Sequence, residues 1–388
     1  MKRNVRILAG GFAAFFSLNI LNSSYSTVMA LIKTDLGLSY TMSGALMSAY
    51  FIGYTMGQVP WGLIADRYGS RRAMSLSILG ISISTVLFGF AGGFWHAAAA
   101  RFLSGLLGAG VFIPGVRLVS GWFPAEARGT ALGLLSVGGS LGLVTSSWFT
   151  PSAASALGWK GILRGYGLLG IASSAAIWMA LRENPGGSGS SGLWEDLGDV
   201  VTRGNFWVLA VIQMIRLGAN YVFIAWLPLL LQEEYGLSLV ASGLAFSIFN
   251  IAGMVSNPAG GVASDRFGER RMLLVSFGFL AINAFAFTTF GPGPQVWLAV
   301  LSLGWFINFT RSPSFAVIPR LFGVDRAGKV SGMLNTFASF GAFLLPFLMG
   351  WVRDTTASYH TGWIVLSLLL GAVAVSTLLL RIPMENEP

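Results

Sequence analysis

Residues 60–72 read PWGLIADRYGSRR, and residues 259–271 read AGGVASDRFGERR. Gly62 and Gly261, Asp66 and Asp265, Arg67 and Arg266, Gly69 and Gly268, Arg71 and Arg270, and Arg72 and Arg271 all stand 199 positions apart in a chain of 388. The same register reaches outward from the motif. GLSYTMSG (37–44) returns as GLSLVASG (236–243), and Pro114, Phe123, Gly129 and Gly133 return as Pro313, Phe322, Gly328 and Gly332. An ungapped offset held this long marks an internal duplication, its two copies running in the same direction.

Composition says what medium the copies occupy. The chain is 54% hydrophobic and 10% charged, with mean hydropathy +0.70. Soluble domains carry about 25% charged residues, so this is a membrane-protein composition. All fifteen acids sit in or at the edge of polar breaks. Between the breaks lie twelve apolar stretches, near 6–32, 40–65, 73–93, 95–122, 128–151, 161–181, 206–231, 238–264, 272–290, 295–319, 328–352 and 359–381. As helices they are long enough for a hydrocarbon core of ~30 Å. Barrel strands would be shorter and would alternate polar with apolar. The expected fold is an all-α integral membrane protein with twelve transmembrane helices in two pseudo-symmetric six-helix halves.

The net charge of +9 would suggest nucleic acid in a soluble protein, but its distribution is topological. With the N-terminus inside, sixteen of the 24 Lys and Arg fall in cytoplasmic segments, and only Lys33, Lys160, Arg164 and Arg353 fall outside. This positive-inside bias places both termini in the cytoplasm of a multi-pass protein of the inner membrane, with no nucleic-acid partner. MKRNVR and the apolar run after it read as the first spanning helix rather than a signal peptide. There is no cysteine, and His96 and His360 both lie near outer loops, which argues against a metal-centred enzyme. No cofactor is expected.

Between the halves, RENPGGSGSSGLWEDLGDVVTR (182–203) reads as a tether. Pro185 ends the sixth helix, the Gly/Ser run is flexible, and LWEDLGDVV suits a short amphipathic turn. The expected division is a six-helix bundle over 1–181, a cytoplasmic linker over 182–204 and a second bundle over 205–388. GLIADRYGSRR resembles the loop motif between the second and third helices of the major facilitator superfamily, and GGVASDRFGERR its second-half copy. RFLSGLLGAG (101–110) is similar to that superfamily's fourth-helix motif, and GWFPAEARGTALG (121–133) to its usual cytoplasmic exit. The resemblance covers the whole chain, with the organic-anion-transporting branches nearest in character. It implies a monomeric secondary transporter working by alternating access.

The doubled motif combines packing with charge. Gly62 and Gly69, like Gly261 and Gly268, allow close helix approach and a tight loop. Asp66 and Asp265 stand where a helix emerges on the cytoplasmic side, placed to pair with Arg71 or Arg270. Arg67 and Arg266 complete the two basic loops. The resemblance implies a conformational latch; a basic loop that merely fixes orientation is the plainer reading. Gly129-x-x-x-Gly133 and Gly328-x-x-x-Gly332 have the spacing of touching helix backbones, in gating or in simple packing.

Four arginines lie inside predicted spans, and none has an acidic residue in the hydrophobic stretches to pair with: Arg101, Arg117, Arg216 and Arg311. Each costs about 2.5–3.5 kcal/mol on insertion scales. Arg117 is near a cytoplasmic end and can snorkel. Arg101 matches the superfamily's fourth-helix arginine, which implies gating or coupling. The carboxylate that often follows it there is missing from Gly105 to Gly110. Gln213, Arg216 and Asn220 share a face near the middle of the seventh span, with Tyr221 beside them, and Asn308 shares one with Arg311. Their first-half counterparts, Ser17 for Arg216 and Phe112 for Arg311, show that neither arginine belongs to the repeated scaffold.

Arginine holds carboxylate or phosphate bidentately and stays charged throughout. The expected substrate is therefore a small organic anion, a carboxylate by preference, bound between the halves near the midplane. Asn22, Tyr25 and Asn250 are candidate neutral contacts; Phe223, Trp226, Trp305 and Phe315 could line the cavity, with lipid or packing the plainer reading for most of them. The alternatives are arginines bonded to backbone carbonyls or amides in an exporter of neutral or drug-like solutes, and a receptor or scaffold that does not transport.

Overall fold

The computed structural model describes residues 2–183 and 198–382, and among these there are fifteen α-helices and no strand. The first copy holds α1 (Lys2–Thr27), α2 (Met29–Asp35), α3 (Tyr40–Tyr68), α4 (Ser70–Phe88), α5 (Phe94–Gly108), α6 (Phe112–Trp122) and α7 (Ala125–Ala180). The short α8 (Gly198–Thr202) leads into α9 (Gly204–Glu233), α10 (Leu239–Phe267), α11 (Glu269–Ala286), α12 (Pro294–Phe309), α13 (Arg311–Phe322), α14 (Val324–Thr356) and α15 (Tyr359–Ser376). Among the described residues, eight helical stretches are long and apolar enough to cross a membrane, one of them running from α5 into α6. Twelve segments emerge once α1 with α2, α5 with α6, and α12 with α13 are taken as interrupted spans and α7 is divided at Gly158, where its path turns. The Gly/Ser stretch of the expected tether, with Pro185, lies outside the described residues.

The 199-residue offset reappears in the backbone. Seven described residues have φ in the left-handed region, and six of them form offset pairs: Gly37 with Gly236, Gly69 with Gly268, and Gly158 with Ala357. Ala357, at φ 54°, is the only residue other than glycine among them. Left-handed backbone costs an L-residue roughly 1–2 kcal/mol, so a turn kept there without glycine shows that the corner is set by the fold. Helix starts repeat as well. The Ser39 hydroxyl accepts from the Met42 amide at 3.1 Å, and the Ser238 hydroxyl from the Ala241 amide at 3.2 Å.

Helix contacts follow the same rule. A Cβ on Gly105 of α5 would strike the Tyr50 carbonyl of α3, and one on Gly304 of α12 would strike the Phe249 carbonyl of α10. Both residue pairs are 199 apart. Gly53 and Gly57 likewise bring α3 against the Phe102 and Leu106 carbonyls. The close approach that membrane helices obtain from small residues is thus built at these positions. At Gly129, Gly133, Gly328 and Gly332 a Cβ would meet nothing within 4 Å, so the close packing expected of those pairs is absent.

The chain forms two compact units, residues 1–191 with 237–247 and residues 192–236 with 248–388. The first turns of α10 thus group with the first unit, where the sequence division at 182–204 would assign them to the second. In the first unit, Gly243 packs on Pro151 and on the Ser147 carbonyl, and the Ser147 and Ser247 hydroxyls meet at 2.9 Å.

Each unit carries an ion pair at the matching corner. Lys160 Nζ lies 2.7 Å from Asp35, and Arg353 lies 3.9 Å from Glu234, the residue 199 positions after Asp35. The hydrogen bond from Lys160 holds the Asp35 carboxyl below its ordinary value. A lowered carboxylate contributes stability above the ordinary carboxyl range of about 4 and loses it as pH falls through the lowered value. Wild type should therefore melt slightly above Asp35→Asn at pH 7, with the gap closing toward pH 3; a gap that persists in acid would contradict this. Both partners are solvent-accessible, so the gap will be small.

Candidate functional site

The second unit holds a buried arginine with no carboxylate beside it in sequence. Gln213 and Arg216 are 1% and 6% exposed, and no acid occurs between Arg203 and Gln232. Three residues apart on α9, they meet on one face, and Arg216 Nε donates to Gln213 Oε1 at 2.8 Å. That bond fixes the amide, because only its oxygen can accept. Gln213 Nε2 then points its hydrogens away from the arginine, buried and without a partner among the described residues. The packing that places this turn is tight. Gly341 of α14 lies against the Met214 carbonyl, and a Cβ on Gly218 would come within 2.8 Å of the Gly341 carbonyl.

Arg311 enters from a helix break. Pro313 cannot donate to the carbonyl four residues back, at Phe309. Gly260 of α10 packs on that carbonyl, and the Thr310 hydroxyl turns back to Ile307 at 2.6 Å. Arg311 therefore opens α13, exposed, with its charge felt at Arg216. The Phe315 ring lies 5.9 Å from the Arg216 guanidinium. Two positive charges and one amide with idle hydrogens make an arrangement of donors beside the Phe315 ring.

Several expected partners are engaged elsewhere. Asn308 donates to the Gly304 carbonyl at 3.1 Å and packs against Gly253, so it braces α12 on α10. Asn220 and Tyr221 are half-buried on α9, and Asn250 is buried in α10. Phe223 and Trp226 are fully buried: Phe223 stacks on Trp363 at 5.5 Å, and Trp226 Nε1 donates to the Pro346 carbonyl at 3.0 Å. They are core, as their place on an all-buried helix segment dictates.

In the first unit Asn22 and Tyr25 serve Arg101. Arg101 is 3% exposed, held 4.7 Å from both the Tyr25 and Tyr50 ring centroids. It donates to Asn22 Oδ1 and to the Leu46 carbonyl, each at 3.4 Å. Two aromatic faces and neutral oxygens thus balance a charge for which the sequence offers no acid. Tyr25 OH is itself spent on the Ser43 carbonyl at 2.7 Å.

The motif loops differ from the expected pairing. Gly69 (φ 90°) and Gly268 (φ 84°) make the tight loops, but nothing lies within 4 Å of a Cβ on Gly62, and Gly261 makes only ordinary contact. Asp66 pairs with Arg117 rather than with Arg71. Arg71 instead donates to the Trp178 carbonyl at 2.9 Å and lies over the Trp178 ring, while Arg270 reaches the Leu378 carbonyl at 2.5 Å. Arg71 caps the end of α7, and Arg270 the short 3-10 turn (Thr377–Leu379) that follows α15, where orphan carbonyls attract cations. Asp265 is exposed and makes no ion pair among the described residues; Arg67 and Arg266 are exposed too. The bridge in the second unit that corresponds to Asp66–Arg117 is Glu269 to Arg320, at 3.1 Å. Asp66–Arg117 and Glu269–Arg320 both span 51 residues, the second pair having moved one helical turn along. That shared separation was present in the sequence, outside the strict 199 register.

Comparison with known proteins places this architecture. The family model for the Major Facilitator Superfamily matches residues 7–346 and again 210–388. The probable galactarate/D-glucarate transporter of Bacillus subtilis is 26% identical, covering 92% of this chain and 87% of its own length. The probable L-galactonate transporter of Escherichia coli is 27% identical over 94% and 86%, and the probable nitrate/nitrite antiporter of Thermus thermophilus 24% over 87% and 83%. Among solved structures, a bacterial homolog of the human lysosomal transporter Spinster, inward-facing and occupied, superposes with a TM-score of 0.83 at 16% identity, covering 98% of this chain and 97% of its own. A D-xylose–proton symporter gives 0.79 at 13% identity over 96% and 97%. The fold and the family model define a multi-pass membrane transporter, not an enzyme. The chain belongs to the Major Facilitator Superfamily.

Proposed function

We propose that this protein moves a small organic anion, by preference a carboxylate, across the bacterial inner membrane, with Arg216 and Arg311 as its anion ligands. The observation that carries the reading is the buried Gln213–Arg216 pair, a set of donors with no acid between Arg203 and Gln232 to neutralise it. An uncompensated buried guanidinium is costly, and a substrate carboxylate supplies the absent charge. The relatives named for galactarate, glucarate and galactonate are transporters of carboxylates, which favours the same class here. Energy comes from gradients through alternating access, by a monomer whose N- and C-termini face the cytoplasm on the side of the Arg-rich loops. Asp66–Arg117 and Glu269–Arg320 are the pairs that make and break as it cycles, with Arg71 and Arg270 holding helix ends.

Counterflow in proteoliposomes loaded with a panel of carboxylates, phosphates and inorganic anions tests the class. Arg216→Gln should lower saturable exchange at least a hundredfold, as expected for a charge-assisted ligand of about 3 kcal/mol, and Arg311→Gln about tenfold, since it is exposed. Exchange of a carboxylate that survives both substitutions would show the arginines to be structural.

A further inference from the structure

The Gln213 amide makes the proposed site more particular than a trap for negative charge. Its Oε1 is held by Arg216, and its Nε2, on a residue only 1% exposed, has no partner among the described residues. A buried donor without an acceptor is uncommon in folded proteins and marks a place where something else supplies one. Nε2 carries hydrogens only, so that partner must offer a lone pair. Because both atoms belong to one planar amide, Nε2 lies a single amide width from the point where Arg216 is gripped. Arg216 spends one of its five N–H groups there, which leaves its paired terminal nitrogens for a carboxylate.

Resting on the anion-site reading above, we infer that the substrate is a 2-hydroxy carboxylate whose hydroxyl oxygen, on the carbon beside the carboxylate, accepts from Gln213 Nε2 while Arg216 holds the carboxylate. A donor this near the guanidinium can be met only by an oxygen close to the bound carboxylate, and the neighbouring hydroxyl is the first that a small acid offers beyond the carboxylate itself. A neutral donor also separates ligands that charge alone does not: Arg216 accepts any carboxylate, whereas Gln213 rejects one that leaves its hydrogens unmet. Sites built to bond a substrate hydroxyl discriminate strongly against analogues without it, because the unmet group stays buried. Galactarate, glucarate and galactonate, named for the relatives, all carry a hydroxyl at that carbon.

The test is counterflow in proteoliposomes of the full chain with three probes: D-gluconate, 2-deoxy-D-gluconate, which lacks only that hydroxyl, and nitrate. The expected result is saturable gluconate exchange, with the deoxy acid poorer by a factor on the order of ten to a hundred. In Gln213→Met, which keeps the buried stem and removes the donor, gluconate exchange should fall to the level of the deoxy acid. Should Gln213→Met not yield monodisperse protein, Gln213→Leu and the wild-type ratio of the two acids carry the same test. Equal exchange of both acids, abolished by Arg216→Gln, overturns the hydroxyl assignment and leaves the anion site standing. Exchange of nitrate alone overturns both the hydroxyl assignment and the carboxylate preference. No exchange of any probe by folded protein overturns the anion site and this inference with it.

Discussion

Gly341→Ala should lower stability by about 3 kcal/mol and weaken substrate exchange, and Gly341→Val should leave little folded protein. The reason is where the new carbon would go. On α14, a Cβ at Gly341 would lie inside the van der Waals shell of the Met214 carbonyl on α9, and a backbone atom cannot swing aside as a side chain can. The helices must separate along the line that holds Gly218 against the Gly341 carbonyl. Met214 follows Gln213 directly and precedes Arg216 by two residues, so the displacement is delivered to the candidate anion site. Gly332→Ala, nine residues earlier on the same helix, is the control. Nothing lies within 4 Å of a Cβ there, and alanine is the better helix former by about 1 kcal/mol. Melting temperatures in detergent, read beside counterflow, check both. Equal losses for Gly341→Ala and Gly332→Ala would show that the contact with Met214 does not set the α9–α14 spacing.

This contrast also shows where the sequence stops being readable. The duplication was legible because it resides in residues whose geometry is local. A glycine with positive φ, a serine that caps its own helix and a proline that breaks one announce themselves without reference to a partner. Gly69 and Gly268 were therefore placed in tight loops from sequence alone, and the loops are there. Close packing is a property of two helices, and spacing along one of them does not reveal which face the other meets. Gly129, Gly133, Gly328 and Gly332 had the right spacing and no neighbour, while Gly105, Gly304 and Gly341 carry the contacts. Charge pairing failed for the same reason. Asp66 and Arg71 were near in sequence, but the arginine found a helix end and the aspartate found Arg117. For the candidate site, the shared face of Gln213 and Arg216 followed from three-residue spacing. The unmet amide of Gln213 did not, because it depends on what every surrounding helix fails to offer.

Arg320→Met should destabilise the protein by about 2 kcal/mol, and Arg117→Met by less than about 1 kcal/mol, although the two arginines hold equivalent bridges. Burial decides between them. Asp66 and Arg117 have side chains 42% and 27% exposed, so water compensates either one when its partner goes. The Glu269 side chain is 3% exposed, and without Arg320 its carboxylate stays in the protein with its partner gone. Two facts keep the cost below the upper range for buried pairs. Arg320 itself is 42% exposed, and Glu269 opens α11, where the helix N-terminus favours negative charge by several tenths of a kcal/mol. The double variant Glu269→Gln/Arg320→Met should recover most of the loss, because the neutral amide needs no counter-charge. Chemical unfolding in detergent, referenced to Arg117→Met, measures all three. Equal costs for the two single variants would mean that Glu269 reaches solvent when Arg320 leaves, and a double variant no better than Arg320→Met would place the cost in lost packing of the arginine stem instead.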